Sequence, residues 1–278
     1  MSPLLCTFER TVDDGKEYSL LFPWASGDLR QLWENNPSAG GRFTPCWMAE
    51  QCWRIAEALS VIHQDQEKIN PKKADDEQLY GRHGDIKPGN ILWFADHLGC
   101  ENAGTLVLAD FGLAKCHRSM TKSLSDPEKA KNSPTYKAPE FDSKGRLKIG
   151  RRSDIWGLAC TWIEFITWYL KGWRAVNVEF PNRRDEIDPN DENISHDRYF
   201  SVENGVEIVK HGVVDWMKEL QEDTRCSPFL SDFLSYIKEN MLLVNPLDRA
   251  TACDVSVRMK ECFEKTSSDS TYANPPAT

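Results

Sequence analysis

The stretch His83-Gly84-Asp85-Ile86-Lys87-Pro88-Gly89-Asn90 constrains this chain more than any other. It sets a carboxylate, an ammonium and an amide at spacings of two and five within one tight loop, just before the strand-like run Ile91–Phe94. Such spacings can gather the three groups around one point. A second strand-like run, Thr105–Ala109, leads into Asp110-Phe111-Gly112, where Gly112 supplies backbone freedom. A carboxylate and an amide oxygen are hard ligands of the kind Mg²⁺ prefers. Holding a divalent ion, aligning a hydroxyl and neutralising developing charge are the requirements of phosphoryl transfer.

Around this stretch the chain reads as a strand-rich start followed by helices. Leu4–Phe8 and Tyr18–Phe22 are strand-like runs around Asp13-Asp14-Gly15-Lys16, and Asp-Gly is a hairpin signal. Pro23 ends the second run, and Gly27-Asp28-Leu29 opens a short helix through Trp33. Thr44-Pro45 is an N-cap followed by proline at the first helical position. Met48, Cys52, Ile55, Leu59 and Ile62 then make one apolar stripe. Gln64 to Leu79 reads as a surface loop, and the Ser- and Lys-rich stretch from Cys116 to Ser133 as a mobile one. Ser153 to Leu170 is apolar nearly all round, which predicts a central buried helix. Residues 171–200 read as polar loop. Ser227-Pro228 starts a helix to about Met241, and Thr251 with Asp254 is a capping-box pattern for a last helix. The Ser-, Thr- and Pro-rich tail from Thr266 reads as disordered.

Composition narrows the partners. With 278 residues, 40% hydrophobic and 28% charged, the chain suits one large globular domain or two lobes sharing a cleft. A net charge of −9 argues against nucleic acid, because phosphate neutralisation needs clustered Lys and Arg. The nine Cys have neither metal spacing nor a dense framework, and read as reduced, buried small hydrophobes. The start, Met1-Ser2-Pro3-Leu4-Leu5-Cys6, lacks the features of a signal peptide. The run from Ile155 to Leu170, broken by Glu164, reads as a buried helix and not a membrane span. The expectation is an intracellular protein, cytoplasmic or nuclear, with no membrane partner.

The loop around Asp85 resembles the catalytic loop of eukaryotic-type protein kinases, and Asp110-Phe111-Gly112 resembles their metal-binding motif. Further matches follow in the family's order. Ser133-Pro134-Thr135-Tyr136-Lys137-Ala138-Pro139-Glu140 is similar to the end of the activation segment. Ser153-Asp154-Ile155-Trp156-Gly157 is similar to the start of the central helix, and Arg249 to the ion-pair partner of Glu140. The resemblance covers about Leu4 to Phe263. It implies an α+β, protein-kinase-like fold, mainly the helical C-terminal lobe with a remnant hairpin of the small lobe. Residues 1–23 would be that remnant (strands four and five), 24–265 the C-lobe, and 266–278 a disordered tail.

The resemblance also assigns roles. ATP and Mg²⁺ are the implied cofactors, and a protein hydroxyl the acceptor. Asp85 would orient that hydroxyl and accept its proton, and Lys87, which resembles the Ser/Thr class more than the Tyr class, would neutralise the transferring phosphate. Asn90 and Asp110 would hold Mg²⁺. Leu21 would be the gatekeeper, and backbone groups of Phe22 and Trp24 would meet adenine. His83, Ser133, Glu140, Asp154 and Arg249 would give structural support. The wording Leu20-Leu21-Phe22-Pro23-Trp24-Ala25 with Gly81-Arg82-His83-Gly84-Asp85 is similar to a group of kinases common in filamentous fungi.

The sequence departs from the family pattern in places. No G-x-G-x-x-G and no Val-Ala-x-Lys run precedes Phe22, and Lys16 is the one lysine there. By the resemblance the chain begins at strand four of the small lobe, with weak ATP binding and slow transfer expected. Losing one transition-state donor typically costs about 10²–10³ in rate. Gly84 stands where many kinases carry the Arg that receives an activation-loop phosphate. Lys115 matches a second basic position of that pocket, so control through Ser119, Thr121, Ser123 or Ser125 is expected to be weak. Two other functions compete. A pseudokinase docking module would have no chemical need for Asp85, Lys87, Asn90 and Asp110 together. A small-molecule phosphotransferase of the aminoglycoside or choline kinase type has a similar loop, but no need for a peptide-docking platform ending at Ala138-Pro139-Glu140. Blander readings apply elsewhere: His83 as a packing residue, and Trp156, Trp162 and Trp168 as core.

Overall fold

The computed structural model describes residues 5–12, 15–63, 80–95, 103–110, 115–117, 134–143, 149–188 and 191–276. An antiparallel hairpin opens the chain. β1 (Cys6–Val12) pairs with β2 (Gly15–Leu21), in register from Cys6↔Leu21 to Val12↔Gly15. The strands run further into the turn than the apolar pattern predicts, because the pairs Glu9↔Tyr18 and Arg10↔Glu17 carry polar groups there. Gly15 closes the turn at φ 138, a backbone that residues with a Cβ rarely adopt.

Short strands and two helices frame the loop around Asp85. β3 (Gly27–Asp28) ends at Asp28, which caps α1 (Leu29–Asn35) in a capping box with Gln31. α2 (Pro45–His63) starts as expected, with the Trp47 N–H on Thr44 Oγ1 at 3.1 Å. β4 (Tyr80–Arg82), β5 (Ile91–Phe94), β6 (Thr105–Leu108) and β7 (Lys115–His117) follow. β3, β5 and β6 form one antiparallel sheet, and β4 pairs with β7.

α3 (Arg152–Lys171) is the hub. Trp156, Trp162 and Trp168 on it are fully buried. Phe165 meets Trp33 of α1 at 5.9 Å between ring centroids, and Trp162 meets Phe233 at 5.1 Å. Removing side chains of this size from water stabilises by roughly 1.5–3 kcal/mol each, which is why a helix apolar on every side ends at the centre. At Gly157 the helix crosses the Asp85 loop so closely that an added Cβ would lie 2.9 Å from the Ile86 carbonyl oxygen. Among the described residues, no helix is long and apolar enough to cross a membrane.

Two expectations need correction. Residues 171–200 are not plain loop. A π-helical turn (Ala175–Glu179) leads into α4 (Phe180–Arg184), then come two hairpins. β8 (Glu186–Asp188) pairs with β9 (Asp191–His196), and β10 (Phe200–Glu203) with β11 (Val206–Val209). α5 (His211–Gln221) and α6 (Pro228–Tyr236) follow, α6 running on as a π-helical turn to Met241. The tail is also ordered further than its composition suggests. α7 (Ala252–Ser268) opens with the Thr251–Asp254 capping box, and α8 (Ser270–Ala273) continues it. Tyr272 is buried there against Phe229, with its hydroxyl on Asp232 at 3.0 Å, and one anchored aromatic holds a polar segment in place. α7 lies along α2, where Trp53 stacks on Phe263.

Candidate active site

The loop geometry begins with proline. Lys87 is extended, and Pro88 opens a single 3₁₀ turn, Pro88–Asn90, closed by the Asn90 N–H on the Lys87 carbonyl. The turn folds Asn90 back onto Asp85. Asn90 Nδ2 donates to the Asp85 carbonyl at 2.8 Å and to its Oδ2 at 3.0 Å. Lys87 Nζ donates to the same Oδ2 at 2.7 Å. Asp85 is buried, and Lys87 is partly open to solvent. An ammonium and an amide thus converge on one carboxylate oxygen, and charge-assisted bonds of this kind are short and strong.

β6 delivers Asp110 to the same place. The residue before it is pinned from both sides: the Ala109 N–H donates to the Asn90 carbonyl at 2.9 Å, and the Ala109 carbonyl meets His83 Nε2 at 2.9 Å. His83 Nδ1 accepts the Asp85 N–H at 3.3 Å, which leaves the ring proton on Nε2, facing Ala109. His83 is fully buried. Asp110 itself has φ 62 and an exposed side chain. A non-glycine residue in this region costs of order 1–3 kcal/mol and persists only where its surroundings hold it. Phe111, Gly112 and Ser133 lie outside the described residues.

Beneath the loop, Asp154 of α3 accepts three donors. Its Oδ2 takes the His83 N–H and His63 Nε2, both at 2.8 Å, and its Oδ1 takes the Gly84 N–H at 2.9 Å. Burial pushes the Asp154 carboxyl up, but the bond and charge of His63, then His83 and the Gly84 N–H, outweigh it, and its pKa falls below the usual value. Gly84 sits at φ 89, which a glycine adopts without strain. His63 was not among the sequence candidates. Its signal was slight: a histidine ending an apolar stripe.

Glu140 and Arg249 form a fully buried, bidentate pair at 2.8 and 2.7 Å. Arg249 also donates to the carbonyls of Leu243, Val244 and Arg152, so this pair leaves little donor capacity unused. Breaking one side of such a pair typically costs roughly 3–5 kcal/mol.

A second cluster surrounds Glu164, ten residues along α3 from Asp154. Tyr136 donates to its Oε2 at 2.9 Å, Tyr199 to its Oε1 at 2.9 Å, and Arg184 Nη2 lies 3.3 Å from Oε1. Burial raises the Glu164 pKa, and Arg184 and the tyrosines offset this only in part. In sequence, Glu164 reads merely as a break in an apolar run. A lone carboxylate inside an all-apolar helix was the available signal, since such a group demands buried partners.

The adenine-side candidates sit differently. Leu21, Phe22 and Trp24 are 49%, 47% and 97% exposed. The Leu21 carbonyl accepts the Leu5 N–H at 2.8 Å, and Ser26 ties the following segment to β5 through Trp93 and Ala95. Lys16 pairs with Glu9 at 2.5 Å on the hairpin surface.

The donor set fits Mg²⁺. Both side-chain bonds of Asn90 use Nδ2, which leaves its hard oxygen for a cation, and Asp110 brings a solvent-facing carboxylate.

Sequence comparison agrees with this geometry. The chain is 26% identical to the probable cyclin-dependent kinase 8 of Dictyostelium discoideum over 148 residues, which is 53% of this chain and 34% of that protein. It is 26% identical to cyclin-dependent kinase E-1 of Arabidopsis thaliana over 172 residues, 61% of this chain and 33% of the relative. It is 27% identical to serine/threonine-protein kinase ppk13 of Schizosaccharomyces pombe over 175 residues, 53% of this chain and 49% of the relative. The chain thus spans about a third to a half of the length of these relatives. The family description "Protein kinase domain" matches residues 1–259, which include the Asp85 loop, Asp110, the Glu140–Arg249 pair and α3. With that match over most of its length, the chain belongs to the protein kinase domain family.

Proposed function

We propose that this chain is a Ser/Thr protein kinase domain that transfers the γ-phosphate of ATP to a protein hydroxyl inside the cell, in the cytoplasm or nucleus. One observation carries the reading: Lys87 and Asn90 converge on Oδ2 of Asp85, beside an Asp110 held in a costly backbone conformation. Residues 1–23 act as strands of the small lobe and 24–265 as the C-lobe.

ATP with Mg²⁺ supplies the transferable phosphoryl group and the charge that makes it electrophilic. The chain's own residues do the rest. Asp85 receives the acceptor hydroxyl as a hydrogen-bond partner and takes its proton as transfer proceeds. Lys87 brings a positive charge to the place where negative charge develops. Asn90 and Asp110 would hold the metal through oxygen. Asp154, His83 and the Glu140–Arg249 pair keep these groups in position, because a misplacement of about 1 Å can cost 10²-fold. Leu21, Phe22 and Trp24 would line the adenine side.

The test is phosphoryl transfer to a degenerate Ser/Thr peptide library by the 278-residue chain and its Asp85→Asn variant. Transfer should fall by about 10²–10³ in the variant. Transfer that survives Asp85→Asn sinks the assignment. The exposure of Trp24 favours one alternative, a docking module that does not use nucleotide. Equilibrium binding of Mg²⁺–ATP separates the two, since the docking module gives no saturable binding.

A further inference from the structure

The segment 134–142 is tied down from an unexpected side. By the resemblance above it contains the end of the acceptor-docking platform, and Tyr136 fixes it to α3 through Glu164. Its other anchors come from the corner between the β8–β9 and β10–β11 hairpins. Thr135 Oγ1 donates to Asp197 Oδ1 at 2.8 Å. Arg198 Nη1 donates to Asp142 Oδ2 at 2.5 Å, and Lys137 bonds the other oxygen of Asp142. Both ends of the platform are therefore held by consecutive residues of one turn.

That turn cannot move alone. Arg184 Nε donates to the Asp197 carbonyl at 3.0 Å, and Lys210 Nζ to the carbonyls of His196 and Arg184 at 2.7 and 2.5 Å. Lys210 and Arg184 are almost wholly buried. The Arg184 guanidinium lies 4.1 Å from the Phe180 ring centroid and 4.4 Å from that of Tyr199. A buried cation that satisfies its donors on backbone carbonyls specifies the path of that backbone, since any shift strands a charge. The hairpin insert is thus locked to α3 and α4 by cations and passes that rigidity to the platform through Asp197 and Arg198.

We infer that the Asp197–Arg198 corner is a positioning device for the acceptor-docking segment, built from unmodified side chains, so that the acceptor side is held in shape by the hairpin insert. The inference rests on the kinase reading for what the segment binds, but not for whether the corner holds it. Asp197 and Arg198 are positioning residues that act through Thr135 and Asp142.

Hydrogen exchange on the full 278-residue chain tests the corner without any need for activity. In Asp197→Ala/Arg198→Ala, exchange in peptides covering 134–143 should rise about tenfold, with α2 and α7 unchanged. Asp197→Asn keeps an oxygen for Thr135 and should stay within about twofold of wild type. If the double variant does not fold, Thr135→Val removes the same bond from the other side and should raise exchange in the same peptides. Unchanged exchange in 134–143, or a rise spread over the whole chain, overturns the inference. Where the wild type transfers phosphate, the double variant should raise KM for an acceptor peptide about tenfold and leave KM for ATP unchanged. Equal effects on both constants also overturn it. A wild type without transfer but with the expected exchange pattern counts against the kinase reading alone.

Discussion

Two carboxylates on one helix are used in opposite ways. Asp154, near the start of α3, holds the Asp85 loop, and its pKa is pulled below the ordinary value despite complete burial. Glu164 holds the segment at Tyr136, and its pKa is raised. The difference lies in the donors. Asp154 faces two backbone N–H groups of the loop and a buried histidine at the end of α2. Glu164 faces two tyrosine hydroxyls and a more distant guanidinium, which stabilise its charge less. The loop that would carry chemistry is therefore welded to the helix. The segment that would carry the acceptor is fastened by bonds that are individually modest.

The largest effect should come from Asp154→Ala. It removes the carboxylate that the His63, His83 and Gly84 donors share, at a cost of roughly 3–5 kcal/mol by urea unfolding. Any transfer activity should fall about 100-fold, because the loop loses its register. Arg184→Leu should come next, at about 3 kcal/mol near neutral pH, because Glu164 keeps a buried charge without its cation. That cost should shrink in mild acid, where Glu164 takes up a proton. A cost independent of pH would mean that Glu164 is not the group at stake.

The pH dependence of the two neutral variants should run in opposite directions. The folded pKa of Asp154 is lowered, so its contribution is present above the ordinary value of 3.8 and is lost as pH falls through the folded value. Wild type and Asp154→Asn should therefore converge as the solution is made strongly acid. The folded pKa of Glu164 is raised above 4.5, so its contribution is present below that value and is lost as pH rises through the folded one. Glu164→Gln should gain on wild type over that rise. Parallel pH profiles for the two variants would erase the contrast. The smallest effect is Tyr136→Phe, about 1 kcal/mol, seen as an earlier urea midpoint and faster exchange around residue 136.

What the sequence made legible was local. The capping signals at Thr44, Ser227 and Thr251 mark real helix starts, because a cap involves only residues three apart. The apolar run of α3 announced a buried helix, and the spacing of Asp85, Lys87 and Asn90 announced a tight cluster. What escaped was non-local or polar. β4 and β7 are three residues each and meet across more than thirty positions, with no apolar alternation to betray them. β9 reads Asp-Glu-Asn-Ile-Ser-His, so no period of two marks it as a strand. Arg184 and Lys210 look like ordinary surface cations in sequence. Only the fold shows that stacking rings and backbone carbonyls have taken them inside.

Gly157 carries a consequence for how closely α3 can seat the Asp85 loop. Its missing side chain lets α3 touch the backbone of Ile86, next to Asp85, and even a methyl group would act as a wedge between them. The atom in the way belongs to the backbone, which cannot swing aside as the end of a long side chain can, so the wedge would push Ile86 and its neighbour Asp85 off α3. The empty space at position 157 is thus as much a part of the loop's seat as the carboxylate of Asp154.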